Sequence, residues 1–363
     1  MNEETDALIK REKTLHLFLA HTPLQILSVT NLKQQYFPET ENCWLLWEDE
    51  GSTRLLDPLV WKNVLKGKQT RSSTHDTKNH IKNNLQLIRE LLEKMKPAKV
   101  VLYVSELLWL CNKVAYAFLH SLYKDNFNCM IFDEGLHIYA NDNTFSEDVF
   151  LKSVMKFVWL TMHGLPNYLL FPKKTYSSKY IKKIYCFYPE LLKDKNYDIE
   201  ILPLQPKYIM SSLQRIRKSD ATYGEKNAAL FLSQPYSRDI PESTLREVLK
   251  DMMEDFKARG IKDIYFKPHH ADKKKWVEEL VGRWGFKPIS LEKDVAIEVY
   301  ASQLQFKYII SISSSALLYL PLFGYQGKTV SYGMSRCGLI RKYKKLHQFL
   351  MPLFRSQGVW VLD

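Results

Sequence analysis

The chain has 363 residues, more than one ordinary hydrophobic core holds, and this length predicts two domains. Apolar residues make up 45% and charged residues 25%, which excludes a disordered chain. Lysine and arginine number 52 against 40 aspartates and glutamates, a surplus of 12. This surplus favours an anionic partner such as a phosphorylated substrate, an anionic membrane surface or nucleic acid.

The first half alternates apolar runs with helical patterns. Thr22 is a predicted helix N-cap, with Pro23 at the first helical position. The predicted strands cover 15–20, 43–47, 100–104 and 128–132, and the predicted helices include 24–32, 85–92 and 107–123. Strands that alternate with helices predict a mainly parallel sheet with helices on both faces.

The second half repeats this alternation and predicts a second Rossmann-like domain. The domains are placed at 1–205 and 206–363, because the segment between about 201 and 224 mixes prolines with basic residues. The predicted strands are 228–232, 264–267, 308–312 and a last strand at 329–332, and the predicted helices are 242–259, 273–284 and 294–302.

Two segments leave a choice between a packed helix and an element on a membrane surface. One is the interrupted apolar stretch 150–171. The other is the tail 341–354, in which apolar residues follow a basic cluster. No run reaches the roughly 18 to 20 apolar residues of a membrane span, and the polar N-terminus lacks a signal pattern. These features predict a cytoplasmic protein, with peripheral contact at the inner face of the inner membrane as an open alternative.

The five cysteines are odd in number, widely spread and mostly inside apolar runs. They are therefore predicted to be reduced core thiols, and neither a disulfide framework nor a zinc site is indicated. They are Cys43, Cys111, Cys129, Cys186 and Cys337.

The first polar strand end follows the apolar run 128–132 and reads Asp133-Glu134-Gly135. Glycine permits a sharp turn there, so both carboxylates are expected at the carboxyl end of a strand, where α/β folds bind ligands. A carboxylate in that place can act as a base. An acidic residue before glycine is equally ordinary turn chemistry, which is the alternative.

The second polar strand end reads Lys267-Pro268-His269-His270. Lys267 and His269 lie two residues apart in an extended segment stiffened by proline, so they are predicted to point to the same side. A fixed ammonium beside an imidazole suits a phosphate group, whereas the alternative is a solvated loop histidine without a function.

The third polar strand end is Ser313-Ser314-Ser315, which follows an apolar strand and opens a helical run. Hydroxyls and free amides at a helix start can bind an anion, and simple helix capping by serine is the alternative. Gln234 also follows a predicted strand, at 228–232. The sequence contains no Walker A pattern, no GxGxxG and no cluster at metal-ligand spacing.

The order and spacing of these motifs resemble the bacterial sialyltransferases, in which an acidic D/E-D/E-G motif, a K-x-H-P motif and a Ser-Ser motif occur in that sequence. The opening His21-Thr-Pro-Leu-Gln25 and the stretch Leu232-Ser-Gln-Pro235 look most like glycosyltransferase family 52, the lipooligosaccharide sialyltransferases. The capsular polysialyltransferases are near relatives. The family's proline after the histidine is His270 here, so both histidines stay candidates, and the Lys-x-His spacing favours His269.

This resemblance implies a GT-B enzyme with two Rossmann-like domains that face each other across a cleft. The implied reaction is inverting and independent of metals and cofactors, and it moves sialic acid or a related nonulosonic acid from a CMP-sugar to a bacterial surface glycan. The glycan is a lipooligosaccharide or a capsule, and a lipid-linked acceptor is an open alternative. The first domain would hold the acceptor and the base, and the second domain would hold the donor.

The resemblance also implies a role for each matching residue. Asp133 is the favoured base, and Glu134 is the second acidic candidate. The donor phosphate would be held or protonated by Lys267, His269, Ser314 and Ser315, with Gln234 as a further donor contact. The supporting motif positions are Gly135, Thr22, Pro23 and Gln25.

Two other functions remain as alternatives at this point. The same scaffold could use another nucleotide sugar, such as a UDP-hexose, because pocket shape selects the sugar. A basic protein that binds a membrane or nucleic acid is the non-enzymatic alternative. Nucleic acid is not the expected partner, because the basic residues are scattered rather than gathered on one predicted element. Contact with an anionic membrane and an oligomeric state are left open.

Overall fold

The computed structural model describes residues 14–48, 50–70, 76–107, 109–139, 147–167, 179–193, 198–217, 221–234, 240–269, 272, 274–289, 291–292, 295–338 and 341–363. The chain divides into two compact units, Met1–Ile216 and Arg217–Asp363. Residues 206–216, which the sequence assigned to the second domain, therefore lie in the first unit.

The first unit is built on a seven-stranded sheet in the order β3-β2-β1-β4-β5-β6-β7. All pairings between these strands are parallel. The strands are β1 (Thr14–Ala20), β2 (Cys43–Trp47), β3 (Val64–Lys66), β4 (Lys99–Val104), β5 (Phe127–Phe132), β6 (Lys183–Cys186) and β7 (Glu200–Pro203). The strand order reverses between β1 and β4, and ligands of open α/β sheets bind at the carboxyl ends of the strands beside such a reversal.

The helices of the first unit follow the predicted alternation. They are α1 (Pro23–Tyr36), α2 (Thr77–Met95), α3 (Leu110–Tyr123), α4 (Glu147–Met162), α5 (Glu190–Lys193) and α6 (Met210–Ile216). The predicted start of α1 is confirmed: Thr22 is the N-cap, its hydroxyl accepts a hydrogen bond from Gln25 N at 3.1 Å, and Pro23 is the first helical residue. This cap fixes the first turn of α1 directly after β1.

The second unit repeats the same topology in a six-stranded parallel sheet, ordered β10-β9-β8-β11-β12-β13. Its strands are β8 (Ala228–Leu232), β9 (Asp263–Lys267), β10 (Lys287–Pro288), β11 (Tyr308–Ser311), β12 (Lys328–Tyr332) and β13 (Trp360–Leu362). Its helices are α7 (Glu242–Ala258), α8 (Lys274–Gly282), α9 (Ala316–Leu322), α10 (Met334–Gly338) and α11 (Arg341–Ser356). The strand order reverses between β8 and β11.

The α/β prediction with two Rossmann-like units is confirmed, and the errors concern short elements. The strand at 329–332 is not the last one, because β13 follows it and pairs with β12. The helix predicted at 294–302 is a 3-10 helix at Ile297–Gln303. Five strands were missed, because each has only two to four residues, and most of them contain a charged or proline residue: β3, β6, β7, β10 and β13.

The two ambiguous segments differ in their packing. In α11, Leu350 and Phe354 are both 0% exposed, so this face of the tail packs into the second unit. In α4, Met155 and Met162 are largely exposed, at 63% and 78%, and the stretch 168–171 lies outside the described residues. No helix in the described ranges has the length and hydropathy that crossing a membrane requires. All five cysteines are buried free thiols.

Candidate functional site

Asp133 comes directly after β5 and is completely buried. Its Oδ1 accepts a hydrogen bond from Gly135 N at 3.0 Å, and its Oδ2 accepts from Phe187 N at 3.0 Å and from the Tyr139 hydroxyl. The turn needs glycine, because Gly135 has a φ of +125°. The Asp133 carboxylate therefore fixes the loops that follow β5 and β6.

Glu134 is half-buried and has a different set of contacts. Its Oε2 accepts a hydrogen bond from Gln25 Nε2 at 2.7 Å. The same nitrogen donates to Ser105 Oγ at 3.0 Å, and Gln25 Oε1 accepts from His21 N at 2.7 Å. Gln25, in the first turn of α1, thus orients Glu134 and joins the ends of β1, β4 and β5.

A buried ion pair lies beneath this edge. His21, after β1, places Nδ1 2.9 Å from Glu48 Oε2, after β2, and both side chains are 0% exposed. His21 Nε2 lies 2.7 Å from Asn112 Oδ1, and Asn112 Nδ2 donates to the carbonyl of Glu106 at 2.7 Å. Since that amide oxygen is the acceptor, His21 Nε2 carries a proton, and Nδ1 faces the Glu48 carboxylate.

Glu48 has the contacts of an ionised carboxylate. It accepts from the Thr70 hydroxyl at 2.7 Å and from Asn84 Nδ2 at 2.8 Å, in addition to its pairing with His21. Burial raises the pKa of the Glu48 carboxyl. The charge and hydrogen bond of His21, together with hydrogen bonds from Cys111 and Thr70, outweigh burial and hold the pKa below its ordinary value. The pair stabilises the loops after β1 and β2.

Sequence reasoning missed Glu106, the second residue after β4. Burial, reinforced by the charge of Glu134, raises the pKa of Glu106 to about 8, against the opposing charge of Lys156 in α4. Lys113 in α3 is 1% exposed, and its ammonium has no hydrogen-bond partner among the described residues. Burial and the charge of Lys156 lower the pKa of Lys113 to about 8. An acidic residue just past a strand was the available signal for Glu106.

In the second unit, three neighbouring strands bring the other predicted residues to one edge. Ser233 N, after β8, donates to the carbonyl of Lys267 at the end of β9 at 3.1 Å. Ser313 Oγ, after β11, donates to Gln234 Oε1 at 3.2 Å. Residues far apart in sequence thus meet at the carboxyl ends of β9, β8 and β11.

The remaining predicted residues lie in the turns that leave this edge. Ser314 Oγ accepts from Ala316 N at 3.3 Å at the start of α9, and Ser315 is the N-cap residue of that helix. His269 N donates to Asp272 Oδ2 at 2.8 Å, which shapes the turn after β9. His270 lies outside the described residues.

Glu298 is a second carboxyl that the sequence did not single out. It lies in the 3-10 helix Ile297–Gln303 and is 5% exposed. Burial raises the pKa of Glu298, and the positive charge of Lys267 opposes this rise. Glu298 is thus an acidic group electrostatically linked to the predicted phosphate ligand Lys267. In the described part of the chain, no three His, Cys, Asp or Glu residues are grouped to hold a metal ion.

Two Rossmann-like units with polar residues at their carboxyl edges define the GT-B class of fold, and solved structures show the same fold. The chain is similar to the UDP-GlcNAc 2-epimerase of Methanocaldococcus jannaschii in complex with UDP-GlcNAc and UDP, with a TM-score of 0.52 and 13% identity over 93% of this chain and 92% of that chain. It is similar to the UDP-GlcNAc 2-epimerase of Neisseria meningitidis bound to UDP-GlcNAc, with a TM-score of 0.52 and 11% identity over 96% and 94%. The 2,6-sialyltransferase of Photobacterium sp. JT-ISH-224, in a ternary complex with CMP and lactose, has a TM-score of 0.51 and 11% identity over 96% of this chain and 78% of that chain.

The family model for alpha-2,8-polysialyltransferases (POLYST) matches residues 16–333, which include every predicted motif. The chain belongs to this family and is a glycosyltransferase of the sialyltransferase group. The resemblance to bacterial sialyltransferases is confirmed, and the matching family is the one expected as a near relative. No curated protein matches the chain at the sequence level.

Proposed function

We propose that the protein transfers sialic acid, or a related nonulosonic acid, from a CMP-sugar to a hydroxyl of a bacterial surface glycan, either a capsule or a lipooligosaccharide. The family description favours a sialic acid at the acceptor end, with its 8-hydroxyl as the attacking group and α-2,8-linked chains as the product. The transfer proceeds with inversion and uses neither a metal nor a cofactor.

Glu134 is the base in this proposal, in place of Asp133, which the sequence favoured. The observation that carries this choice is the contrast between neighbouring carboxylates: both oxygens of Asp133 accept hydrogen bonds in a completely buried position. Glu134 is half-buried and oriented by the amide of Gln25. A base must reach the substrate proton, so the accessible carboxylate fits the role better.

The second unit supplies the groups for the donor. Lys267 provides a fixed positive charge, His269 a hydrogen bond or proton, and Ser314 and Ser315 hydroxyls, all at or just past strand ends of one sheet edge. Gln234, oriented by Ser313, is a further donor contact. Positive charge and hydrogen-bond donors directed at the developing phosphate charge stabilise it, as a metal ion does in other transferases.

The reaction follows from these roles. Glu134 takes the proton of the acceptor hydroxyl while the oxygen of that hydroxyl forms a bond to C2 of the donor sugar. The bond from C2 to the phosphate oxygen breaks, and its electron pair leaves with CMP. Lys267 and the serines stabilise the phosphate charge, and His269 donates a hydrogen bond or a proton to it. Attack from the face opposite to CMP inverts the configuration at C2.

The test is a transfer assay with CMP-sialic acid and short α-2,8-linked sialic acid acceptors, with and without EDTA, and UDP-GlcNAc as the competing donor. We expect CMP release that depends on the acceptor, chain extension, and equal rates with EDTA. Release of UDP from UDP-GlcNAc without any CMP release would overturn the donor assignment. Loss of transfer in EDTA that a divalent metal restores would overturn the metal-independent mechanism.

A further inference from the structure

A cavity of about 460 Å³ lies at the amino end of β2, on the edge of the first sheet opposite to the candidate site. It is lined by the last turns of α1 and α2, the loop between α1 and β2, and the turn before β3. Its volume lies within the roughly 300 to 1,000 Å³ of ligand pockets. The five residues of β2 separate the cavity from Glu48 and the carboxyl edge by about 17 Å.

The walls of this cavity are held in place by hydrogen bonds and packing. Asn63 Nδ2, in the turn before β3, donates to the carbonyl of Glu41 at 2.8 Å and to the carbonyl of Cys43 at 3.4 Å. Val60 and Cys43 line the cavity and are buried, at 7% and 2% exposed. The cavity is therefore preformed, as ligand pockets usually are.

Three lysines line this cavity. Lys33 belongs to the last turn of α1, Lys94 to the last turn of α2, and Lys62 to the turn before β3. None of the three forms a salt bridge within the part of the chain that the structure describes. Lys33 is only 8% exposed. A buried charge without an anionic partner is costly, so an anionic ligand in the cavity would stabilise it.

Two of these lysines lie beside tryptophan rings. Lys33 Nζ is 5.9 Å from the centroid of the Trp61 ring, and Lys94 Nζ is 5.8 Å from the centroid of the Trp44 ring. Trp44 lines the cavity and is half-buried, so part of its indole surface is accessible. Positive charge beside a flat apolar ring suits a sugar ring that carries a carboxylate.

Two exposed carboxylates in the lining, Glu39 and Glu41, favour one kind of anion over others. Carboxylates accept hydrogen bonds from sugar hydroxyls, whereas they repel a phosphate, which carries more negative charge and lacks such donors when it is ionised. Three lysines against two glutamates leave one positive charge, which matches the single charge of a sugar carboxylate. The lining therefore fits an anionic sugar better than a nucleotide or free phosphate.

We propose that this cavity is a second glycan-binding site, which holds a carboxylate-bearing sugar unit away from the reacting edge. The three lysines bind the carboxylate, the indole of Trp44 contacts the sugar ring, and Glu39 and Glu41 accept hydrogen bonds from its hydroxyls. The identification of the sugar as sialic acid rests on the proposed function, whereas the anionic sugar chemistry rests on the cavity. At about 17 Å from the carboxyl edge, the bound unit takes no part in the reaction, so the site retains a glycan chain without acting on it.

The first test observes the cavity directly by fluorine NMR of the full chain labelled with fluorotryptophan, in the absence of donor. Trp44→Phe identifies the Trp44 resonance. We expect this resonance to shift on addition of an α-2,8-linked sialic acid pentamer and to stay in place with maltopentaose, a neutral sugar chain. No shift with the pentamer, an equal shift with maltopentaose, or tighter binding of CMP or inorganic phosphate than of the pentamer would overturn the proposal.

The second test removes the two exposed ammonium groups of the cavity. In Lys62→Ala/Lys94→Ala, we expect the pentamer affinity measured at the Trp44 resonance to fall about tenfold. Lys82→Ala is the matched control, since Lys82 is an exposed lysine of α2 outside the cavity, and its affinity should stay within about twofold of the wild type. Equal affinities of the double variant and the control would overturn the proposal.

The third test concerns the buried charge. Lys33→Met keeps an unbranched apolar side chain and removes the ammonium group. We expect an unfolding midpoint that is unchanged or higher, together with a pentamer affinity about tenfold lower. A purely structural role of the ammonium group predicts the reverse, a lower midpoint with unchanged affinity, and that result would overturn the assignment of Lys33 to the ligand.

Transfer assays separate this inference from the proposed function. The double variant should keep kcat and the KM for CMP-sialic acid within about twofold of the wild type, because the cavity lies away from the reacting edge. If the wild type fails to transfer from CMP-sialic acid while the pentamer shifts the Trp44 resonance, the proposed function is wrong and the glycan site stands. If transfer is normal and the pentamer leaves the resonance in place, the glycan site is wrong and the proposed function stands.

Discussion

The two sheets of this protein share one topology and differ in the chemistry of their carboxyl edges. In the first unit, carboxyl groups after β2, β4 and β5 are embedded in a network of amides, a histidine and lysines. In the second unit, the corresponding edge carries a lysine, a glutamine and serines. The shared topology fixes where functional groups stand, and the residues that follow each strand give each edge its own chemistry.

The largest expected effect comes from a variant that removes the buried pairing of His21 with Glu48 at the first edge. His21→Ala leaves Glu48 ionised and unpaired in a completely buried position, so we expect the free energy of unfolding to fall by about 3 to 5 kcal/mol. Denaturant unfolding measures this change. His120→Ala, at an exposed position of α3, is the control and should change stability by less than about 0.5 kcal/mol. Equal effects of the two variants would contradict the ion-pair account.

The second prediction tests the phosphate role of the other edge. Lys267→Ala removes the fixed charge expected at the donor phosphate, so kcat/KM for CMP-sialic acid should fall by about 10²- to 10³-fold. Lys307→Ala is the control, because Lys307 is an exposed lysine of the same unit, and it should stay within about twofold of the wild type. Steady-state kinetics decides, and full activity of Lys267→Ala would remove the second edge from the mechanism.

The third prediction sharpens the contrast inside the first edge. Asp133→Asn presents an amide NH₂ where one of two backbone N–H groups, Gly135 or Phe187, needs an acceptor. One buried hydrogen bond is lost, and we expect a destabilisation of about 1 to 3 kcal/mol. Thermal unfolding measures it, and an unchanged midpoint would show that Asp133 does not hold these loops.

The smallest expected effect depends on pH. The pKa of Glu48 is lower in the folded chain than its ordinary value of 4.5, so the unfolded chain binds more protons at acid pH. The stability from Glu48 is therefore complete above pH 4.5 and is lost as the pH falls through the folded pKa. Glu48→Gln should flatten the dependence of unfolding free energy on pH in this acid range. The same dependence of unfolding free energy on pH in the wild type and in Glu48→Gln would contradict this contribution of Glu48.

The sequence was informative where a local pattern reflects a local cause. β1 and β5 are apolar runs bounded by turn residues, and Thr22 with Pro23 marks a helix start, so each was predictable. β3 and β10 have only three and two residues, and their partners on neighbouring strands stabilise them.

The site was predictable in its motifs but not in its interactions. Asp133 and Glu134 are neighbours in sequence. Only the folded chain shows that Asp133 accepts three hydrogen bonds while Glu134 accepts one from Gln25. Glu106 was overlooked, because it stands between a strand and the helical pattern that begins at 107. Its raised pKa comes from burial and from groups on other elements, which no local pattern encodes.

The most direct measurement of the central claim compares transfer by Glu134→Gln with transfer by Asp133→Asn under conditions in which both are folded. We predict that Glu134→Gln lowers kcat by about 10²- to 10⁴-fold with an unchanged unfolding midpoint. Asp133→Asn should lose stability and keep most of its kcat. A folded Glu134→Gln with normal kcat, beside a folded and inactive Asp133→Asn, would contradict the account and return the role of base to Asp133.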